Sequence, residues 1–246
     1  SLTPETIQPL EQTLLPHVLS NQPWSTISQK AFDLKAGLRE YRMRTSIIPS
    51  LQQVIMDNID HKHAKYFGFV AMEPSTGKIL AMVSFDKTGE NSNVCTRPDF
   101  PAASLIKIVT AAAAIEECGF TCTTPVAYNG KKYSLYKSQL KPRENKYTNH
   151  ITFADSFADS INPVFGKIGI NQLKKAGLEK YATAFGFNRD IPFDLALPES
   201  SLHILDEPYN WAEIACGFNR QTLISPLHAA VLVAGVINNG KLMAPT

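Results

Sequence analysis

A hydroxyl and an amine lie one helical turn apart in a segment that is otherwise almost entirely apolar. Ser104 and Lys107 occur in the run Pro101-Ala-Ala-Ser-Leu-Ile-Lys-Ile-Val-Thr-Ala-Ala-Ala-Ala-Ile-Glu116. Residues three apart on an α-helix share a face, so the two side chains can meet. A buried ammonium is costly, and its usual escape is a lowered pKa that leaves the amine neutral. A neutral amine beside a serine acts as a general base, so the pair is a candidate nucleophile and base.

The helix that must carry this pair has recognisable ends. Pro101 precedes it, Ser104 is a favoured N-terminal residue, and Gly119 supplies the stop after a run of good helix formers. Ser104 would then lie where the helix dipole is positive, which favours a developing oxyanion. The alternative is that Ser104 only caps a core helix while Lys107 extends along its stem to solvent.

A second serine and an amide follow at a predicted joint between two helices. Proline disfavours helix at the residue before it and suits the first turn of the next helix, so Pro163 marks such a joint. There Ser160 can relay a proton, and the amide of Asn162 can hold a substrate carbonyl. Asn162 is also a good N-cap, so a purely structural role for it stays open.

Composition excludes several classes of function. The chain has 246 residues, is 44% hydrophobic and contains 13 Phe, which is enough for a sizeable core. Its 24 Lys and Arg nearly balance its 22 Asp and Glu, so no basic field indicates a nucleic-acid partner. The longest apolar stretch, around Pro226 to Ile237, is too short to span a bilayer, and no signal peptide begins the sequence. We therefore expect no membrane contact within this chain and place any native anchor outside it.

The four cysteines do not fix the compartment. Cys118 and Cys122 flank a short loop and can pair in an oxidising compartment or remain free thiols. No His-x-x-x-His or paired Cys-x-x-Cys accompanies them, so we expect no metal and no cofactor.

The rest of the sequence predicts the supporting elements. Residues 1 to about 60 are predicted to be helical and broken by prolines, with 1–44 as an N-terminal extension or linker. Two apolar runs, 67–73 and 78–85, are joined by a Pro/Gly turn and predict an antiparallel hairpin. A polar stretch from Thr124 to His150 predicts an excursion over the surface.

Several helix boundaries are also predicted. Thr152 and Asp155 form a plausible capping box, and Ser225 followed by Pro226 begins a further helix. A hairpin followed mostly by helices indicates an α+β fold.

Together these segments resemble the transpeptidase domain of the penicillin-binding proteins, which share a superfamily with the serine β-lactamases. Ser104-Leu-Ile-Lys107 matches the nucleophile motif, and Ser160-Ile-Asn162 matches the Ser-x-Asn motif of the helical lobe. The segment 70–84 is similar to the first hairpin of the family. The resemblance implies an antiparallel sheet with a large helical lobe and assigns 45–246 to the transpeptidase domain.

Two departures from the family pattern stand out. The third motif, Lys-Thr-Gly or Lys-Ser-Gly, is expected after Asn238-Asn-Gly240, but the sequence ends at Thr246. Lys87-Thr88-Gly89 spells the motif but precedes the nucleophile, so we interpret it as a turn. The resemblance therefore implies a domain that lacks its later strands and one of two oxyanion-hole amides, the other being that of Ser104. In addition, Pro101-Ala102-Ala103 replaces the Pro-Gly that many relatives have before the serine.

The resemblance implies a D,D-transpeptidase that cross-links peptidoglycan through a serine acyl-enzyme. Ser104 would be the nucleophile, Lys107 the base, Ser160 the proton relay and Asn162 the substrate-binding amide. The implied partners are peptidoglycan stem peptides, β-lactam antibiotics and cell-wall synthesis or division proteins, at an extracytoplasmic location. Two alternatives remain: a D,D-carboxypeptidase or β-lactamase-type hydrolase, and a non-catalytic cell-wall module that keeps the fold.

Overall fold

The computed structural model describes residues 18–19, 28–36, 39–60, 62–88 and 93–246. The chain folds into two compact units, each built from separate parts of the sequence. The first comprises the described residues up to Arg97 with Asp190–Pro198 and Ser225–Thr246, and the second comprises Pro98–Arg189 and Glu199–Ile224. The domain division between residues 44 and 45 stays a prediction.

The described residues form antiparallel strand pairs and helices, which confirms the α+β fold class. The strands are β1 (Ala31–Ala36), β2 (Arg39–Arg44), β3 (Tyr66–Met72), β4 (Ile79–Asp86), β5 (Phe100–Pro101), β6 (Pro125–Tyr128), β7 (Asn149–Thr152) and β8 (Leu223–Ile224). They pair as β1-β2, β3-β4, β5-β8 and β6-β7. The α-helices are α1 (Pro49–Asp57), α2 (Ile106–Cys118), α3 (Lys137–Leu140), α4 (Phe153–Ala158), α5 (Asn162–Ile168), α6 (Lys174–Ala184), α7 (Pro208–Cys216) and α8 (Pro226–Ile237). A π-helical turn, Gly169–Leu173, joins α5 to α6.

In the first unit, the prediction of helix before residue 44 is wrong for β1 and β2, which form a hairpin. Phe32 and Leu34 are buried on one face, whereas Asp33 and Lys35, which alternate with them, are exposed. This period of two is the strand pattern. Cross-strand ion pairs, among them Asp33 with Arg42 at 2.8 Å, reinforce the register. The predicted helical segments of residues 1–17 lie outside the described residues.

The predicted hairpin of the first unit is confirmed as β3 and β4, with Tyr66 opposite Asp86 and Val70 opposite Met82. The buried Gln52 of α1 accepts a hydrogen bond from the Met82 amide at 2.8 Å. Helix α8 packs on β3, where Gly68 leaves room for Pro226. The predicted cap of α8 is also confirmed, since the Ser225 hydroxyl accepts the His228 amide at 3.1 Å.

In the second unit, α2 is packed among the helices α5, α6 and α7. The capping box predicted at Thr152 and Asp155 is confirmed at the start of α4. The segment 124–150 is more regular than predicted, because it contains β6, α3 and β7 and buries Leu135 and Leu140.

All four cysteines are free, so Cys118 and Cys122 remain thiols. Within the described residues, no helix is both long enough and apolar enough to cross a membrane.

Candidate active site

Ser104 and Lys107 lie at the beginning of α2, in the second unit. A 3₁₀ turn, Ala103–Leu105, leads into the helix, and Gly119 ends it in the left-handed conformation with φ 67°. Ser104 is exposed, whereas Lys107 is only 2% exposed. The Ser104 side chain makes no capping hydrogen bond, and the Lys107 stem does not lead to solvent. The structural alternatives weighed from the sequence are therefore not what the chain adopts.

The side-chain nitrogen of Lys107 is the centre of a short hydrogen-bond network. Its Nζ lies 2.9 Å from Ser104 Oγ and 3.1 Å from Ser160 Oγ. It also donates to the side-chain oxygen of Asn162 over 2.8 Å. Ser160 Oγ and Ser104 Oγ are 2.9 Å apart, so the amine and the two hydroxyls form a closed triangle. The structure thus brings all four predicted residues together.

Burial lowers the pKa of Lys107, since the charged amine loses its hydration. A neutral amine has two N–H donors and one lone pair. With Asn162 and Ser160 as the acceptors of these two donors, the lone pair would face Ser104 Oγ, which lies 2.9 Å away and also accepts a hydrogen bond from Ser160. The network therefore has a place for each hydrogen-bonding group of a neutral Lys107, with Ser104 Oγ within reach of its lone pair.

A thiolate at Cys216 would raise the pKa of Lys107, because its negative charge would favour the ammonium form. Burial raises the pKa of the Cys216 thiol to about 12, so the group is neutral at pH 7. The thiol therefore does not reverse the effect of burial on Lys107.

Ser160 and Asn162 are positioned by the joint between α4 and α5. Ser160 has a left-handed backbone with φ 52°, which turns the chain sharply before α5. Ile161 occupies the N-cap position, and Asn162 is the first residue of the helix. The Asn162 amide donates from its side chain to the carbonyl of Tyr133 at 3.1 Å and from its backbone to that of Lys132 at 2.8 Å. The side chain thus joins Lys107 to the segment around Tyr133 instead of capping α5.

Two backbone residues that support the nucleophile were missed from the sequence. Ala103, directly before Ser104, has φ 46°, and its carbonyl oxygen lies against Gly217 at the end of α7. A Cβ at Gly217 would lie 1.8 Å from that oxygen. Thr110 of α2 also holds α7 in place by donating a hydrogen bond to the Ala215 carbonyl at 2.8 Å. The only sequence signal for Gly217 was a glycine after an apolar helix, which alone predicts a C-cap.

Comparison with known proteins gives one consistent result. The family model described as the penicillin binding protein transpeptidase domain matches residues 67–246. Stage V sporulation protein D of Bacillus subtilis is 25% identical over 219 residues, which are 82% of this chain and 34% of that protein. Peptidoglycan D,D-transpeptidase PbpA of Mycobacterium tuberculosis is 26% identical over 207 residues, which are 72% of this chain and 41% of that protein. The chain therefore spans well under half the length of these relatives.

Solved structures agree with the family match. Penicillin-binding protein A from M. tuberculosis in its penicillin G acyl-enzyme complex is 25% identical, with a TM-score of 0.63 over 82% of this chain and 53% of that one. The D,D-transpeptidase domain of a peptidoglycan glycosyltransferase from Eggerthella lenta shares the fold at 23% identity, with a TM-score of 0.66 over 81% of this chain and 55% of that one. Since the family model covers well over half of its residues, this chain belongs to the penicillin-binding protein transpeptidase domain family.

Proposed function

We propose that this protein is a D,D-transpeptidase that acylates Ser104 with a peptidoglycan stem peptide. The observation that carries the proposal is the triangle formed by Lys107 and the two serine hydroxyls around a buried amine. Membership of the transpeptidase family supports it. So does the acyl-enzyme that penicillin G forms with the similar M. tuberculosis protein.

The acylation step follows from the network. Neutral Lys107 takes the proton of Ser104 as the oxygen forms a bond to the carbonyl carbon before the terminal D-alanine. The C–N bond then breaks, and Ser160, 3.1 Å from Lys107 Nζ, passes the proton to the departing amine nitrogen. Asn162 holds the amine in place and is the amide that would orient the peptide. The start of α2 stabilises negative charge on the carbonyl oxygen.

The acyl-enzyme can be resolved by an amine or by water. In the transpeptidase reaction, an amine from a neighbouring stem attacks the ester carbonyl, the C–O bond to Ser104 breaks, and the serine recovers its proton. Hydrolysis would follow the same course with water and would yield a free acid. Analysis of products formed with an added acceptor amine distinguishes the two, because only transpeptidation gives the amide.

Mass spectrometry of the intact protein tests the assignment of the nucleophile. Ring opening of a penicillin releases no leaving group, so the protein should gain the full mass of the drug. Ser104→Ala should abolish the adduct, whereas Ser138→Ala, an exposed serine on α3, should retain it. An adduct that survives Ser104→Ala would disprove the assignment. A protein with no adduct at all would favour the non-catalytic module.

The proposed reaction also leads us to expect a location and partners for the protein. Peptidoglycan is cross-linked outside the cytoplasm, so we place the protein at the periplasm or the outer face of the inner membrane. Cell-wall synthesis or division proteins are the macromolecular partners that we expect. Protease accessibility of the native protein in spheroplasts tests the location, since an extracytoplasmic domain is digested without lysis.

A further inference from the structure

One segment of the second unit concentrates the positive charge of the chain. The segment 131–146, here called the basic platform, holds six of the 24 basic side chains and one of the 22 acidic ones. It therefore carries a formal charge of +5, while the rest of the chain carries −3. A field this localised selects anionic partners.

The basic platform is an ordered part of the fold. Gln139, 5% exposed, donates to the carbonyl of Asn129 at 2.8 Å and accepts the Tyr136 amide at 2.9 Å. Leu135 and Leu140 are buried against Gly166, where an added Cβ would come within 2.9 Å of either side chain. The Tyr209 hydroxyl donates to the Leu135 carbonyl at 2.8 Å. The backbone of the platform is thus anchored by buried groups.

The charged side chains of the platform point outward. Lys132 pairs with Asp159. The remaining basic residues are exposed and form no ion pair within the described part of the chain: Lys131, Lys137, Lys141, Arg143 and Lys146. Two of their amines lie over aromatic rings, Lys137 over Tyr209 at 5.4 Å and Lys146 over Tyr147 at 5.0 Å. Three tyrosine rings close to these residues in sequence are also exposed and can pack against a bound peptide: Tyr133, Tyr136 and Tyr147.

The platform is joined directly to the candidate active site. Asn162 donates to the Lys132 and Tyr133 carbonyls at 2.8 and 3.1 Å, while its oxygen accepts from Lys107 at 2.8 Å. The backbone that carries the exposed cations is therefore held by the same residue that contacts Lys107, so the platform begins beside the reacting network.

We propose that the basic platform is a docking subsite for the free carboxylates of a peptidoglycan stem peptide, outside the bond that reacts. This rests on the proposed function, since it takes the same substrate class. A peptide fits better than a lipid surface, because the leucines of the platform are buried and leave no aliphatic anchor to insert.

Binding measurements in a Ser104→Ala background test the proposal without turnover. The probes are two peptides ending in D-alanyl-D-alanine and carrying a neutral dye, one with two free side-chain carboxylates and one with both as primary amides. The platform variant is Lys131→Gln/Lys137→Gln/Lys146→Gln. The matched control, Lys62→Gln/Lys174→Gln/Lys241→Gln, makes the same charge change at exposed residues outside the platform.

At low salt we expect the carboxylate peptide to bind about tenfold more weakly to the platform variant than to the parent, and the difference to shrink at 0.5 M salt. The control variant and the amide peptide should each change by less than about twofold. Equal losses in the two triple variants, or equal binding of the two peptides to the parent, would overturn the proposal. Platform-dependent binding to anionic lipid vesicles with no discrimination between the peptides would also overturn it, in favour of a membrane surface.

Penicillin labelling of the chain with Ser104 intact tests the proposed function separately. The label depends on Ser104 and Lys107, whereas the peptide affinity depends on the platform. Loss of labelling with retained carboxylate-dependent binding therefore refutes the reaction and keeps the anionic-peptide site. Retained labelling without that binding refutes the platform alone.

Discussion

Gly217→Ala tests whether the end of α7 sets the position of the nucleophile. Gly217 has φ 74°, and an added Cβ would lie 1.8 Å from the Ala103 oxygen and 2.3 Å from its carbonyl carbon. Gly119, which ends α2 with φ 67°, has the same backbone conformation but nothing within 4 Å of an added Cβ. Gly119→Ala is therefore a matched control that keeps the backbone penalty and removes the contact.

The expected magnitudes follow from these two geometries. Alanine in a left-handed conformation costs about 1–2 kcal/mol, and both variants bear that cost. At Gly217 the contact must also be relieved by moving the backbone of Ala103 by about 1.5 Å, since carbon and oxygen atoms normally approach no closer than about 3.3 Å. Such overpacking adds about 1–3 kcal/mol. A displacement of about 1 Å at the adjoining Ser104 reduces reaction rates about 100-fold.

Two measurements check the prediction: denaturant unfolding for stability and the rate of penicillin adduct formation for the position of Ser104. We expect Gly119→Ala to lose about 1–2 kcal/mol and to label within about twofold of the parent. Gly217→Ala should lose about 2–5 kcal/mol and label about 100-fold more slowly. Equal effects in the two variants, or a normal labelling rate in Gly217→Ala, would refute the reasoning.

Further predictions concern the same site. The rate of Ser104 acylation should rise with pH, with a midpoint below the ordinary lysine pKa, because burial lowers the pKa of Lys107 and only the neutral amine is a base. Stability should also rise with pH between the folded and unfolded pKa of Lys107, where the unfolded chain binds more protons. Lys107→Arg, always charged, should not label, and labelling of this variant at the parent rate would contradict the role of the base. Ala103→Gly should raise the free energy of unfolding by about 0.5–1 kcal/mol, because Ala103 has φ 46° and glycine relieves that backbone strain. No packing is lost, since the Ala103 side chain is exposed. A lower unfolding midpoint would contradict this prediction.

Local patterns predicted much of the fold. The hairpin of β3 and β4, the cap of α8 at Ser225 and the capping box at Thr152 follow from residues close together in sequence, and the structure confirms them. The helix prediction was wrong for the hairpin of β1 and β2, because the alternation of Phe32 and Leu34 with polar residues is too short to stand out as a period.

The composition of the basic platform was visible in the sequence, but its architecture was not. Its charge follows from a count of residues, whereas its order depends on Gln139 and on the packing of Leu135 against Gly166. Polar, lysine-rich segments usually predict loops, since their sequence shows no period. Buried contacts with α5 and α7 decided otherwise.

By itself, the sequence determined the pairing of Ser104 with Lys107, because a spacing of three places both side chains on one helical face. The tertiary structure decided what surrounds that pair. Ser160 and Asn162 reach Lys107 from 53 and 55 residues along the chain, and no local periodicity specifies such a contact. Only the packing of α5 beside α2, together with the close approach at Gly217, turns a helical spacing into a buried amine in contact with three side chains.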